Sequence, residues 1–266
     1  MTNDPVQRLA AHAAARDAWL AATSGQLRGD ERVAAVWLVG SLGQESGDAW
    51  SDLDLVVVAR DEHLPALVER PRSEFGRFGE VLVAIDAPNG PAGGAYLGVA
   101  YAIGELPLWV DWYVWPLATA RRPSDARVLI ERTALPPPAT KPHAALIQHS
   151  RAADPQAVCD RFADPVDFSV AMVPIAAKYI ARRQPREARE LLGLLDRDAS
   201  NALGVREQVS ALRRILRRAE EKRPSTAVQA AAAVLDLTEQ LADRWCRLVE
   251  VECTSEAWIK SNRKRR

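Results

Sequence analysis

The hydrophobic pattern of this chain changes character about halfway along. Residues 5–23 are Ala-rich, with Leu and Trp at near-helical spacing, and predict a helix closed by Ser24-Gly25. "RVAAVWLVG" is a short β-branched run and predicts a buried strand. "SLGQESGDAW" is polar and small, fit for one turn of helix and a loop. "SDLDLVVVA" predicts a second strand, "EHLPALVER" a short helix and "GEVLVAIDAP" a third strand. After the turn cluster "NGPAGG" come "AYLGVAYAI" and, past "GELP", "LWVDWYVWP", a fourth and a fifth strand. Strands joined by short turns point to an antiparallel or mixed sheet rather than strict strand–helix alternation.

Four prolines crowd residues 133–142, "TALPPPATKP", and predict a stiff seam between domains. Beyond it the apolar residues recur three and four apart, in "PVDFSVAMVPIAAKYIARR", "PREARELLGLLDRD", "GVREQVSALRRILRRAEEK" and "PSTAVQAAAAVLDLTEQLADRWCRLVE". Pro165, Pro185 and Pro224 stand near helix starts, where a missing N–H is harmless, whereas Pro174 falls inside a helical pattern and should kink it. The expected architecture is α+β. A mixed-sheet domain spans 1–135 and a helical bundle spans 143–266.

Composition narrows the function classes. The 266 residues suit two domains, and 48% hydrophobic content is enough for real cores. Lys+Arg and Asp+Glu are both 35, a balance that argues against tracking a long nucleic acid, which rewards a basic excess. Cys159, Cys246 and Cys253 form no CxxC and have no His at zinc spacing, so they read as isolated thiols of a reducing compartment. No signal pattern opens the chain and no apolar run reaches the roughly 18–20 residues of a membrane span. The expected location is cytoplasmic, with no membrane partner. Exposed helical surface in the second domain would allow a homodimer.

The chemistry concentrates in residues 33–60. An apolar run ends in Gly40-Ser41, ten residues follow, and then come Asp52 and Asp54 with one leucine between them. Carboxylates at i and i+2 on a strand share a face and repel, so they call for a counter-charge, most simply a divalent cation. The Gly-Ser turn offers N–H groups and a hydroxyl, which suit phosphate oxygens. Asp111 lies in the fifth strand among Trp109, Tyr113 and Trp115, where an ionised carboxylate is costly unless paired or metal-bound. It is either a third acid converging on Asp52 and Asp54 or an edge-strand charge facing solvent. The aromatic row is either core or a stacking surface. His12, His63, His143 and His149 show no paired spacing.

Gly-Ser, ten residues, "DLDL" and an isolated Asp on a later strand together resemble the nucleotidyltransferase superfamily of DNA polymerase β type. Followed by a helical bundle, the pattern is similar to bacterial aminoglycoside and lincosamide nucleotidyltransferases. The resemblance implies that Gly40 and Ser41 bind phosphates and that Asp52 and Asp54 bind Mg²⁺. Asp111 would be the third acid, as ligand or base. A helical-domain lysine often approaches the nucleotide in that family; Lys178 is the candidate, with a solvated helix face as its alternative. Glu80 and Asp86 are back-up base candidates, each with a strand-end charge as its alternative. The implied activity is transfer of AMP, or another NMP, from ATP or another NTP to a hydroxyl of a small molecule. An aminoglycoside- or lincosamide-like antibiotic leads as acceptor, with a role in antibiotic resistance. The alternatives are a protein or RNA acceptor, or a nucleotide-binding module that has lost catalysis.

Overall fold

The computed structural model describes residues 4–87, 90–147, 164–202 and 204–253. His149 and Cys159 lie outside the described residues. The chain divides into two compact units. One is Leu9–Ala171; the other joins Met172–Arg266 with Met1–Arg8. The proline-rich stretch 133–142 falls inside the first.

The first unit is built on a six-stranded mixed sheet. Its strands are β1 (Val33–Val39), β2 (Leu53–Ala59), β3 (Val81–Ile85), β4 (Ala95–Ala102), β5 (Pro107–Pro116) and β6 (Arg127–Glu131). Their order across the sheet is β3-β4-β5-β2-β1-β6. β2 and β5 pair in parallel, while the other neighbours are antiparallel. Parallel neighbours need a long crossover. Here the chain between β2 and β5 forms α3 (Leu64–Glu69), α4 (Pro71–Gly76) and the hairpin β3–β4.

Helix α1 (Pro5–Gly29) runs through Ser24-Gly25 instead of stopping there. The extra turn buries Leu27 in the core, and tertiary packing of that kind outweighs the roughly 1 kcal/mol a mid-helix glycine costs. β6 and α4 carry too little periodicity to have been predicted. β6 is secured by Arg132, whose guanidinium donates to the carbonyls of Leu27, Arg28, Asp30 and Val33 around the end of α1.

The two faces of the sheet differ. One packs Leu53, Leu55, Val57, Val110 and Trp112 against Trp19 of α1 and Phe75 and Phe78 around α4. The Trp112 ring stacks on Phe75 at 4.4 Å, its N–H donates to the Tyr101 hydroxyl at 3.0 Å, and that hydroxyl donates to the Phe75 carbonyl at 2.7 Å. The opposite face carries Trp37, Val56, Val58, Tyr96, Tyr113 and Trp115, joined by Ile147 from the helical residues 143–147.

The second unit is a helical bundle, with α5 (Pro165–Ala181) entering it from the first. It continues with α6 (Pro185–Leu195), a 3₁₀ turn (Arg197–Asn201), α7 (Val205–Lys222) and α8 (Thr226–Cys253). Arg213 of α7 reaches Asp236 and Glu239 of α8, and the buried Gln208 amide donates to the carbonyls of Pro185 and Ala202. Pro174 sits inside α5. Among the described residues no helix is long and apolar enough to cross a membrane.

Candidate active site

The parallel pairing of β2 with β5 sets Asp54 beside Asp111 in register. One row therefore crosses four strands as Gly98, Asp111, Asp54 and Val39, and side chains at register partners share a face. Every other residue of β2 and β5 is buried; Asp54 and Asp111 alone in those strands reach solvent in part. The two carboxyls are hydrogen-bonded to each other. Protein atoms crowd Asp54 on nearly every side, and this burial raises its pKa well above the usual carboxylate range. The charges of Asp111, Asp52 and Asp125 add to the rise.

Asp52 precedes the first residue of β2 and acts on Asp54 through its charge. Among the described residues no three His, Cys, Asp or Glu side chains form a ready ligand set for a metal. The close contact is the Asp54–Asp111 pair. Its donor chemistry suits a hard divalent cation: carboxylate oxygens, partly open to solvent, in a field made negative by four aspartates.

Gly40 lies directly after β1, where Val39 pairs with Asp54. Its φ of 68° is left-handed, and a Cβ there would overlap Asp54 Oδ2 and stand 3.2 Å from Asp54 Cγ. The glycine thus answers both the backbone conformation and the close approach of the acid. It opens the short helix α2 (Gly40–Gly43), with Ser41 exposed on its surface. Gly43 is equally constrained: a Cβ would lie 2.5 Å from the Leu38 carbonyl and 2.7 Å from that of Asp125.

The loop between α2 and β2 is closed by Ser51. Its hydroxyl accepts from the Asp48 N–H at 2.9 Å and lies 3.2 Å from the Ser41 hydroxyl. The buried Arg16 of α1 donates to the carbonyls of Asp48, at 2.8 Å, and Ser51, at 3.1 Å. Trp50 is buried, and its backbone N–H donates to Asp48 Oδ1.

Sequence reading passed over Tyr96 and Asp125 near the acids and took Trp109 as core or stacking surface. The Tyr96 hydroxyl donates to Asp111 Oδ1 at 2.6 Å, and Trp109 Nε1 donates to the same oxygen at 3.0 Å. Asp125, near the start of β6, accepts the backbone N–H of His143 at 2.8 Å. The buried His143 ring meets Tyr113 edge-on at 4.3 Å. Burial pushes the His143 pKa down to about 4, against the raising effect of Asp125. Only the local Asp-to-His spacing could have hinted at this pair, and it matches no recognisable motif.

Lys178 is buried within α5, in the helical unit. Asp86 is exposed and pairs with Arg72 at 2.8 Å, and Glu80 is exposed. Tyr113 and Trp115 belong to the apolar core of the acid-bearing face. No protein-family model and no curated protein matches the chain.

Proposed function

We propose that the chain transfers a nucleoside monophosphate, from ATP or another NTP, to a hydroxyl of a small molecule and releases pyrophosphate. The observation that carries this reading is the Asp54–Asp111 pair. The two acids touch in register at the only partly exposed positions of two otherwise buried strands, beside the Gly40-Ser41 turn. Like charges so placed are unfavourable alone and favourable around a hard cation.

Asp54 and Asp111 are the residues that would hold Mg²⁺, with Asp52 adding to the field. The bound ion would polarise triphosphate oxygens and offset charge developing on the departing pyrophosphate. Gly40 and Ser41 supply the backbone approach and the hydroxyl suited to phosphate oxygens. In the reaction the acceptor oxygen bonds to the α-phosphorus, the bond to the bridging oxygen breaks, and the acceptor proton passes to a carboxylate of the cluster. Lys178 of the helical unit is the further candidate for approaching the nucleotide phosphates.

The test combines protein, α-labelled ATP, Mg²⁺ and a panel of aminoglycoside and lincosamide antibiotics. The expected result is pyrophosphate release and an acceptor heavier by one AMP, lost in Asp54→Asn. Label on a co-purifying protein or RNA would change the acceptor. Nucleotide binding without turnover, or full turnover in Asp54→Asn, would overturn the reading.

A further inference from the structure

Asp111 has an unusual task for a carboxylate: it must stay pressed against a second acid. An unrestrained aspartate beside Asp54 would rotate about χ1 and χ2 toward solvent, which both side chains reach in part. Two donors oppose this. The Tyr96 hydroxyl, from β4, and Trp109 Nε1, two residues earlier on β5, both end on Asp111 Oδ1, at 2.6 and 3.0 Å. An indole N–H only donates, so this oxygen acts as an acceptor. Hydrogen bonds to a charged acceptor are the strong ones, and two from different directions fix the carboxyl plane.

The space for this arrangement comes from Gly98, the β4 register partner of Asp111. A Cβ at Gly98 would overlap Trp109 Cζ2 and stand 2.8 Å from the Tyr96 hydroxyl. Both donors are themselves buried. The three residues form a cradle with one evident purpose, orienting one oxygen of one acid.

The geometry points to Tyr96 and Trp109 as positioning residues that hold the Asp111 carboxylate against Asp54, in a space kept open by Gly98. This rests on the proposed nucleotidyl transfer, where the pair takes up the cation. Outer-shell donors of this kind orient ligating carboxylates, and their loss typically costs about 10–100-fold in metal affinity or activity.

The test compares Tyr96→Phe, Trp109→Phe and Gly98→Ala with Tyr101→Phe. Tyr101 offers a buried hydroxyl on the opposite face of the sheet, so its loss reports stability alone. Mn²⁺ affinity is read by electron paramagnetic resonance, kcat and KM by nucleotidyl transfer, and folding by thermal melting. The expected result is Mn²⁺ affinity weakened roughly tenfold or more in Tyr96→Phe and Trp109→Phe. Their kcat should fall, with KM for the acceptor unchanged. Gly98→Ala should follow them although both donors are still present. Tyr101→Phe should melt earlier and bind Mn²⁺ as the parent does. If Trp109→Phe fails to fold, Tyr96→Phe, which removes a single oxygen, decides. A parent protein that binds Mn²⁺ and turns over, with variants that do the same, would overturn the positioning roles alone. A parent that binds Mn²⁺ without turnover overturns the enzyme reading and leaves the cradle to be judged on affinity. A parent that binds no Mn²⁺ overturns both.

Discussion

Gly40 and Asp54 stand so close that no side chain fits between them: a Cβ on Gly40 would overlap Asp54 Oδ2. The glycine also holds a φ of 68°. Gly40→Ala therefore combines backbone strain with displacement of the acid. A non-glycine residue forced into such a conformation costs about 1–3 kcal/mol. The expected outcome is a drop of that size in urea denaturation, together with a loss of Mn²⁺ affinity. Affinity unchanged in a destabilised variant would show that Asp54 can move aside without consequence for cation binding.

Asp54 should make the metal-free protein less stable as pH rises. Burial and the charges of Asp111, Asp52 and Asp125 raise its folded pKa above the unfolded value near 3.8. Between those two values the native state binds more protons than the unfolded chain, so stability falls with increasing pH. Below the unfolded value the penalty is absent. Asp54→Asn should melt higher than the parent at neutral pH without metal, and the gap should close toward pH 4. Adding Mg²⁺ should raise the parent's melting temperature and leave the variant unmoved. Melting curves across pH, with and without Mg²⁺, check all three statements.

The sequence made the site legible where the chemistry is local. Gly40, Ser41, Asp52 and Asp54 lie within fifteen residues of one another and announce themselves by spacing, and Asp111 by its apolar neighbours. What spacing does not encode is register. The Asp54–Asp111 contact depends on a parallel pairing across a crossover of some fifty residues, and the Tyr96 donor on a further antiparallel pairing. Trp109 illustrates the limit: its place two residues before Asp111 is plain in the sequence, yet its hydrogen bond required the room left by Gly98. In the fold, β1, β2, β4 and β5 could be read from β-branched and aromatic runs. β6 could not, because its exposure pattern leaves Ile130 as its one buried residue.

His143 should oppose Asp54 in its effect on acid stability. Its folded pKa of about 4 lies below the ordinary 6.5, and its Nε2 is buried without a hydrogen-bond partner. A histidine held neutral loses stability as pH falls from the unfolded toward the folded value, here from about 6.5 to about 4. The loss is at most about 3 kcal/mol, at 1.36 kcal/mol per unit. His143→Phe keeps a ring against Tyr113 and removes the proton site. Its melting temperature should change less than the parent's between pH 7 and pH 5. An identical slope in parent and variant would assign the acid sensitivity of that range to other groups.

Arg16, from helix α1, holds the loop that leads into the acids. Its guanidinium joins the carbonyls of Asp48 and Ser51 from a position 5% exposed, so water cannot readily replace it. Ser51 in turn meets Ser41, which ties the helix to the candidate phosphate-binding turn through two contacts. Arg16→Ala leaves both carbonyls short of a donor, at about 1–3 kcal/mol for each one that stays buried. If the loop were held mainly by its own Asp48–Ser51 bonds, that cost would appear only as lower global stability. If Arg16 holds it, amide exchange in residues 44–52 should accelerate under conditions where the strands stay protected, and KM for ATP should rise more than kcat falls. Arg16→Lys, which offers one point charge in place of a planar fork, should restore part of the global stability and little of the loop protection. Hydrogen exchange read by mass spectrometry separates these outcomes, because the loop and the strands that flank it fall in different peptides.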